Sequence, residues 1–332
     1  MYAMISSVMD LLKIIAIVGP TASGKSVCGV KIARAFNGEV ICVDSRTVYK
    51  GMDIGTAKVR NSEPKHWGVD LASPDEEYTV AMFQEYAQKK IEEIAKRGKL
   101  PVLVGGTGLW MDAVVDNLSF PNVPPDDRIR SELEAREVDD LAREYLKRDP
   151  EGADFVDIKN KRRLIRALEV CRVTGKTFSE LRQKGHALYD ALWIGMSGKA
   201  GSGSAGDVSR EELDKRIDNR VDEMIADGLV EEVRRLKDLY GCDIPSMSGI
   251  GYRELCTFFD KISNDVTESS IITGVYSNVV TGMGMCEVIE MIKTNTRRFA
   301  RRQRRWFKRR EEIVWVKDCG EAMAAVRLFL SS

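Results

Sequence analysis

Residues 14–26 read Ile-Ile-Ala-Ile-Val-Gly-Pro-Thr-Ala-Ser-Gly-Lys-Ser, and this stretch decides the fold. The β-branched run at 14–18 predicts a buried strand, and the pattern from about 25 to 36 predicts a helix. Between them, residues 19–26 match G-x-x-x-x-G-K-[ST], the pattern of a phosphate-binding loop, the P-loop. Its glycines permit close backbone approach, and its N–H groups and the N-terminus of the helix attract an anion. We therefore predict that this loop binds a diphosphate or triphosphate.

Two side chains of the P-loop carry the predicted chemistry. Lys25 would neutralise phosphate oxygens, and the Ser26 hydroxyl can ligate Mg²⁺. The predicted phosphate-binding residues are Gly19, Pro20, Thr21, Ala22, Ser23, Gly24, Lys25 and Ser26.

Two further apolar runs, at 40–43 and 101–104, predict strands that alternate with helices, one of them at 80–97. This alternation indicates a parallel sheet with crossover helices. The predicted fold class is therefore α/β, with a P-loop NTPase-like parallel-sheet core. Ligands of such sheets bind beyond the carboxyl ends of the strands, so those ends should hold the functional residues.

Asp44 directly follows the second strand, and three roles stay open for it: a metal ligand through water, a general base, or a cap of the following turn. The third strand ends in Gly105-Gly106-Thr107-Gly108. A glycine pair there permits close backbone approach to a ligand, and Thr107 offers a hydroxyl. A simple strand-to-helix turn is the alternative for this segment.

The composition changes near three prolines at 121, 124 and 125, where helical patterns begin and continue to about 174. We predict an all-helical insertion domain at 121–190 inside a P-loop α/β core made of 12–120 and 191–332. A strand at 191–196, a glycine/serine linker at 198–206 and a long helix at 211–237 follow. A basic helix at 281–310 and a last strand at 313–316 complete the predicted core.

The chain has 332 residues, of which 43% are hydrophobic and 31% charged, so it can form a core and is not wholly disordered. No apolar stretch is long enough to cross a bilayer. Seven scattered cysteines without a C-x-x-C pair predict reduced thiols in a cytosol-like compartment. With only two histidines, a zinc site is not expected.

The formal net charge is zero, with 51 basic and 51 acidic residues, but the basic residues are unevenly distributed. Residues 297–310 contain eight arginines, one lysine and no acid, and a smaller basic cluster lies at 159–166. Nine cations in so few helical turns repel one another, so we predict that this helix meets a polyanion. Contacts with nucleic-acid phosphates would supply affinity rather than sequence choice.

Several motifs together resemble the tRNA dimethylallyltransferases, also called tRNA isopentenyltransferases. They are residues 19–26, 44–58 (Asp-Ser-Arg-Thr-Val-Tyr-Lys-Gly-Met-Asp-Ile-Gly-Thr-Ala-Lys), 104–109, 162–170, 248–253 and 295–310. The resemblance covers most of the chain in colinear order. The Asp-Ile-Gly-Thr-Ala-Lys segment at 53–58 is much more specific than any P-loop.

The resemblance implies transfer of a dimethylallyl group from dimethylallyl diphosphate to N6 of adenosine 37, next to the anticodon of tRNA, with release of pyrophosphate. Residues 21–26 would then bind that pyrophosphate rather than ATP, with Mg²⁺ beside Ser26. Asp44 is the candidate base for the exocyclic amine. The implied catalytic residues are Asp44, Thr21, Lys25, Arg216 and Arg220. For each of the two arginines, a surface salt bridge on the helix is the alternative.

The implied macromolecular partner is the tRNA anticodon stem-loop, whose target base must turn out of its stack to react. The resemblance places these residues near the RNA: Asp44, Ser45, Arg46, Thr47, Thr107, Arg130, Arg162, Arg163, Arg166, Ser248, Gly249, Gly251, Tyr252, Arg253, Arg297, Arg301 and Arg305. For Arg130 and Arg162, a solvated helix face is the alternative. We expect a cytoplasmic monomer that does not bind membranes.

The chain departs from the family pattern in three places, one of which is the 198–206 segment, unlike the usual link into the next helix. Residues 64–70 replace the paired histidines that are usual there, and Thr47 stands where bacterial members often have glutamine. No Cys₂-His₂ tail follows the basic helix, which favours the prokaryotic-type enzyme.

Three other functions share parts of this pattern. An adenylate isopentenyltransferase would prenylate a free nucleotide, and a P-loop small-molecule kinase would bind ATP and use Asp44 to activate a hydroxyl. An RNA-binding module without catalysis would leave the P-loop without a role. The helical insertion and the basic helix favour tRNA, because a free nucleotide needs neither.

Overall fold

The computed structural model describes residues 11–59, 63–120, 123–154, 156–181, 184–196, 210–265 and 284–332. The predicted linker at 198–206 lies outside these residues. The chain divides into two compact units, Met1–Val114 with Tyr189–Ser332 and Val115–Leu188.

The first unit is built on a parallel sheet, as predicted. Its strands are β1 (Leu12–Val18), β2 (Gly38–Val43), β3 (His66–Trp67), β4 (Leu100–Gly105), β5 (Tyr189–Met196) and β6 (Val314–Val316). In the described residues their order across the sheet is β3-β2-β4-β1-β5-β6, and every pair is parallel. The α/β fold class with a parallel-sheet core is therefore confirmed.

The described residues also form twelve α-helices, of which those between residues 127 and 181 belong to the second unit. They are α1 (Lys25–Ala35), α2 (Val80–Lys96), α3 (Gly108–Val115), α4 (Asp127–Glu134), α5 (Val138–Arg148), α6 (Lys161–Thr174), α7 (Phe178–Leu181), α8 (Arg210–Ala226), α9 (Leu229–Tyr240), α10 (Tyr252–Asp265), α11 (Met285–Phe307) and α12 (Cys319–Ser331). Among the described residues, none of them combines the length and apolar character needed to cross a membrane.

Local sequence explains α2 well. The Thr79 side chain accepts a hydrogen bond from the Met82 N–H and caps the first turn. The helix buries Phe83, Ala87 and Ile91 at intervals of four residues, which places them on one face. That apolar stripe, predicted from the spacing, packs the helix against the sheet.

Other predicted elements were wrong in their extent. The helix predicted at 211–237 is two helices, because Gly228 adopts the left-handed conformation (φ 100°) between α8 and α9. β6 is the last strand among the described residues, as predicted, but α12, which was not predicted, follows it and buries Ala322 and Val326 against the sheet core.

The prediction of reduced thiols was wrong for four of the cysteines. Cys28 is joined to Cys319, and Cys242 to Cys256, as disulfides. The first pair is separated by 291 residues and meets where α12 packs on α1. Spacing along the chain cannot show that folding brings two such thiols together.

Candidate active site

The carboxyl ends of three neighbouring strands meet at one edge of the sheet. Val18 of β1 and Val43 of β2 are both in register with Gly105 of β4, which lies between them. The P-loop, Asp44 and the glycine turn that follows β4 therefore begin side by side.

The P-loop presents a buried polar atom that the protein does not satisfy. Gly24, in the left-handed conformation (φ 87°), is the N-cap of α1. The neighbouring Ser23 side chain is 3% exposed, and its hydroxyl has no hydrogen-bond partner among the described residues. An unpaired buried hydroxyl costs free energy, so this one marks a position where a ligand oxygen can bind.

Lys25 lies at the centre of a charged cluster. Its ammonium group donates a hydrogen bond to the carbonyl oxygen of Pro20 at 3.2 Å. Burial and the nearby Arg220 lower the pKa of Lys25 to about 8, against the opposing effect of Asp44. Burial also lowers the pKa of Arg220, and the Asp44 carboxylate opposes this shift. Two cations and one carboxylate therefore interact across the strand ends.

Two arginines were predicted to face the leaving group. Of these, Arg220 belongs to the cluster, because its charge interacts with those of Lys25 and Asp44. The Arg216 guanidinium forms an ion pair one turn along its own helix, with Nε 3.0 Å from Glu212. That contact is the helix-surface salt bridge named as the alternative for this residue.

Asp44 uses one carboxylate oxygen to hold its own turn. Oδ1 accepts a hydrogen bond from the Arg46 N–H at 2.8 Å, while Oδ2 accepts none within the described part of the chain. The Ser45 N–H donates to the Thr107 hydroxyl at 3.3 Å and joins this turn to the end of β4. The capping role is thus real, and it leaves one oxygen for a ligand.

Arg46 and Thr47, both predicted to lie near RNA, are engaged by the protein. Arg46 donates to the carbonyl oxygens of Pro245 and Ser246 at 2.8 and 3.0 Å, and to the Ser248 hydroxyl at 3.1 Å. Thr47 is 5% exposed, and its hydroxyl donates to the Asp44 carbonyl at 3.3 Å. In this structure the Thr47 side chain points inward.

The segment that replaces the family's paired histidines supplies an ion-pair partner to the 53–58 motif. The buried Lys58 ammonium lies 2.7 Å from Asp70 and 2.9 Å from Asp53, and it donates to the Tyr49 carbonyl at 2.7 Å. Lys58 therefore binds two loops together instead of facing solvent.

Glu232, which the sequence analysis did not single out, holds the same motif from α9. Its carboxylate accepts from the N–H groups of Asp53, Ile54 and Gly55 at 2.9, 2.8 and 3.2 Å, and from the Tyr252 hydroxyl at 2.6 Å. Burial and the Glu232 carboxylate raise the pKa of Tyr252. The sequence feature that could have identified Glu232 is its position as an acid on the buried face of α9, which also carries Leu229, Val233 and Leu236.

The glycine pair after β4 was interpreted as permitting close approach to a ligand, with a simple strand-to-helix turn as the alternative. In the structure, the space beside both glycines of the pair, and beside Gly108, is taken by the protein's own atoms. A Cβ on Gly105 would collide with the carbonyl oxygen of Val43. A Cβ on Gly106 would collide with the Gln303 amide, and one on Gly108 with the Trp306 ring. The protein's own α11 fills the space next to the last two glycines.

Three cations of the basic helix find counter-charges on α8. Lys293, Arg297 and Arg301 of α11 form ion pairs with the α8 carboxylates of Asp222, Asp218 and Asp214, at 2.8, 2.6 and 3.1 Å respectively. For Arg297 and Arg301 the argument from like-charge repulsion was therefore wrong, because counting charges along the chain missed the acids of α8. Arg298 and Arg305 are exposed and form no ion pair or hydrogen bond with the described residues.

The comparisons with known proteins decide the family. The IPP transferase family model matches residues 47–310. The chain belongs to this family. Among relatives, the tRNA dimethylallyltransferase of Anoxybacillus flavithermus is 38% identical over 308 residues, which are 91% of this chain and 89% of that protein. The tRNA dimethylallyltransferase of Shouchella clausii is 41% identical over 313 residues, 91% of this chain and 90% of that one.

Solved structures of IPP transferases agree with the fold. The tRNA isopentenylpyrophosphate transferase of Bacillus halodurans is 35% identical, with a TM-score of 0.64 over 96% of this chain and 95% of that one. A eukaryotic dimethylallyltransferase crystallised acting on tRNA is 28% identical, with a TM-score of 0.63 over 89% of this chain and 70% of that one.

In this member of the family, the remaining predicted RNA residues of the first unit lie around the start of α10. Gly249 precedes Gly251, which adopts the left-handed conformation (φ 91°). Tyr252 is buried, whereas Arg253 is half exposed and pairs with Glu254 at 2.5 Å. Of the predicted RNA side chains here, Ser248 and Arg253 are exposed to solvent.

The Val115–Leu188 unit of this IPP transferase carries four predicted RNA arginines in two groups. Arg130 and Arg166 both bind the buried Glu169, at 2.8 and 2.6 Å. Burial alone would raise the pKa of Glu169, but these partners together lower it. Arg162 and Arg163 are exposed on α6. The second pair is therefore available to a ligand, while the first pair stabilises the unit.

No group of three or more His, Cys, Asp or Glu side chains suited to a metal occurs in the part of the chain that the structure describes. Mg²⁺ bound to a phosphate substrate does not need such a group, because it keeps several waters and takes phosphate oxygens. The exposed Ser26 and the Asp44 Oδ2 atom offer the hard oxygen ligands that such an ion prefers.

Proposed function

We propose that this chain transfers a dimethylallyl group from dimethylallyl diphosphate to N6 of adenosine 37, next to the tRNA anticodon, and releases pyrophosphate. The observation that carries the proposal is the cluster of Lys25, Arg220 and Asp44 at the strand ends. Two cations beside the P-loop fit a diphosphate, and a carboxylate next to them can take a proton from an amine. Membership of the IPP transferase family supports this assignment.

The proposed reaction forms a bond between N6 and C1 of the prenyl group while the C1–oxygen bond to the diphosphate breaks. The electron pair leaves with pyrophosphate, whose growing charge Lys25 and Arg220 stabilise. The N6 proton moves to Oδ2 of Asp44, the oxygen that is not used to cap the turn. Thr21 of the P-loop is a further proposed catalytic residue.

The cofactor of the proposed reaction is Mg²⁺, which Ser26 would hold. It would neutralise charge on the diphosphate oxygens. The substrate would supply most of the oxygen ligands of this ion, so few protein ligands are needed.

The proposed macromolecular substrate is the anticodon stem-loop of tRNA. Support comes from the exposed cations Arg298 and Arg305 on α11 and Arg162 and Arg163 on α6, which have the charge that phosphate contacts need. Because tRNA is the substrate, we expect the enzyme to act in the cytoplasm, and as a monomer.

The test is the transfer of labelled prenyl from dimethylallyl diphosphate in the presence of Mg²⁺. Unmodified tRNA with A36-A37 is offered in one reaction and AMP in another. Label in tRNA alone is expected. Label in AMP alone would assign the chain to the nucleotide-prenylating enzymes, and ATP turnover without prenyl transfer would identify a kinase.

A further inference from the structure

One uncharged polar side chain interrupts the cationic sequence at 297–310. Gln303 lies between Arg302 and Arg304, yet it is only 5% exposed. A buried amide has both donors and an acceptor to satisfy, so its partners show what the residue does.

The Gln303 amide bonds to two different loops of the site. Its Oε1 atom accepts from the Thr21 N–H at 2.8 Å, and its Nε2 atom donates to the Gly106 carbonyl oxygen at 3.0 Å. Thr21 belongs to the P-loop and Gly106 to the turn after β4. One side chain of the basic helix therefore joins the loops that follow two neighbouring strands.

The chemistry of these partners requires an amide. A backbone N–H can only donate and a backbone carbonyl can only accept, so the side chain must supply one acceptor and one donor at its tip. The contact at Gly106 leaves no space even for a Cβ. The amide is thus held in a single orientation.

We propose that Gln303 is a positioning residue that fixes the entrance of the P-loop and thereby ties diphosphate binding to the docking of the arginine-bearing helix. It acts on the substrate through Thr21 and not by direct contact. This inference rests on the proposed function, in which the P-loop holds the diphosphate.

The test measures the affinity of the full chain for inorganic pyrophosphate by calorimetry. Gln303→Glu keeps the shape but turns a carboxylate oxygen toward the Gly106 carbonyl, and Gln303→Met removes both hydrogen bonds without adding charge. We expect each to weaken pyrophosphate binding about 10- to 100-fold. Hydrogen exchange of the Thr21 amide should accelerate in both variants.

Asp112→Ala is the matched control for a general loss of stability, because it removes a different contact of α11 and leaves the Gln303 amide in place. Asp112 accepts from Trp306 at 3.0 Å and from Arg310 at 3.3 Å, so it anchors the same helix by contacts other than those of Gln303. We expect pyrophosphate affinity within about threefold of the parent, with a comparable loss of thermal stability. Thermal melts identify any variant that fails to fold.

The possible failures are distinguishable. If the unaltered chain binds no pyrophosphate, the proposed diphosphate site is wrong and the inference falls with it. If the unaltered chain binds and both Gln303 variants bind equally well, only the inference is overturned. Equal losses in the Gln303 variants and in Asp112→Ala would also overturn it, because they would show a purely structural role.

Discussion

Removing the Glu232 carboxylate should loosen the 53–58 motif more than any other single truncation on α9. In Glu232→Ala, the three backbone N–H groups and the Tyr252 hydroxyl lose their acceptor. A buried donor left without a partner costs about 1–3 kcal/mol. Water entering the space left by the side chain will satisfy part of this loss, so we take the lower bound for each donor. Four donors then give a destabilisation of about 4 kcal/mol.

The amide variant should cost much less. Glu232→Gln keeps one oxygen for the Asp53 and Ile54 N–H groups, and its amide nitrogen can donate to the Tyr252 hydroxyl, which can also accept. The Gly55 N–H is then the donor that loses its partner, together with the charge on the acceptor. We expect a cost of about 1–2 kcal/mol.

Hydrogen exchange of the peptide that covers residues 50–58 measures these effects locally, which suits a chain of two units better than a single unfolding midpoint. A loss of about 4 kcal/mol corresponds to roughly thousand-fold faster exchange, and the amide variant should give about tenfold. Glu231→Ala and Glu231→Gln are the matched controls, since that neighbouring acid is exposed. Exchange in Glu232→Ala within about threefold of Glu231→Ala would refute the reasoning.

Three further predictions concern charge at the site. Because the pKa of Lys25 lies at about 8, pyrophosphate affinity should fall as pH rises through 8, and binding above that pH should take up a proton. Calorimetry in two buffers of different ionisation enthalpy measures both effects. Lys25→Met is the control, since it should abolish the proton uptake. Arg298→Ala combined with Arg305→Ala should weaken tRNA binding and lower the slope of log affinity against log salt by about two. Arg297→Ala should change the slope less, because Arg297 is already ion-paired with Asp218. Equal slopes would mean that the exposed arginines do not contact phosphate. Asp44→Asn keeps an oxygen for its turn, so prenyl transfer should fall about 10²- to 10⁴-fold while tRNA and pyrophosphate still bind, and a parallel loss of binding would contradict the general-base role.

Local patterns were sufficient for the elements that depend on neighbouring residues. The P-loop is a contiguous motif between a β-branched run and a helix, so its strand, turn and helix could all be predicted. The buried face of α2 could also be predicted, because its apolar residues repeat at helical spacing. The parallel sheet followed from the alternation of such elements.

Contacts between distant segments could not be predicted in this way. Glu232 meets the 53–58 motif across 177 to 179 residues, and Gln303 meets Thr21 across 282. The sequence shows that Gly106 lacks a side chain, but not that Gln303 fills the space beside it. Nor does it show that the acids of α8 face the cations of α11, since that pairing depends on how two helices pack.

The fit of Gly106 and Gly108 against Gln303 and Trp306 has a consequence for recombination between relatives. The two segments lie almost 200 residues apart, yet each is shaped for the other, with 197 residues separating the Gly106 carbonyl from the Gln303 amide that it binds. A chimera whose crossover falls between them would combine a turn from one parent with a helix from another. Such hybrids should stay functional only when both parents share the glycines and the two α11 side chains, so the turn and the helix are inherited as one unit.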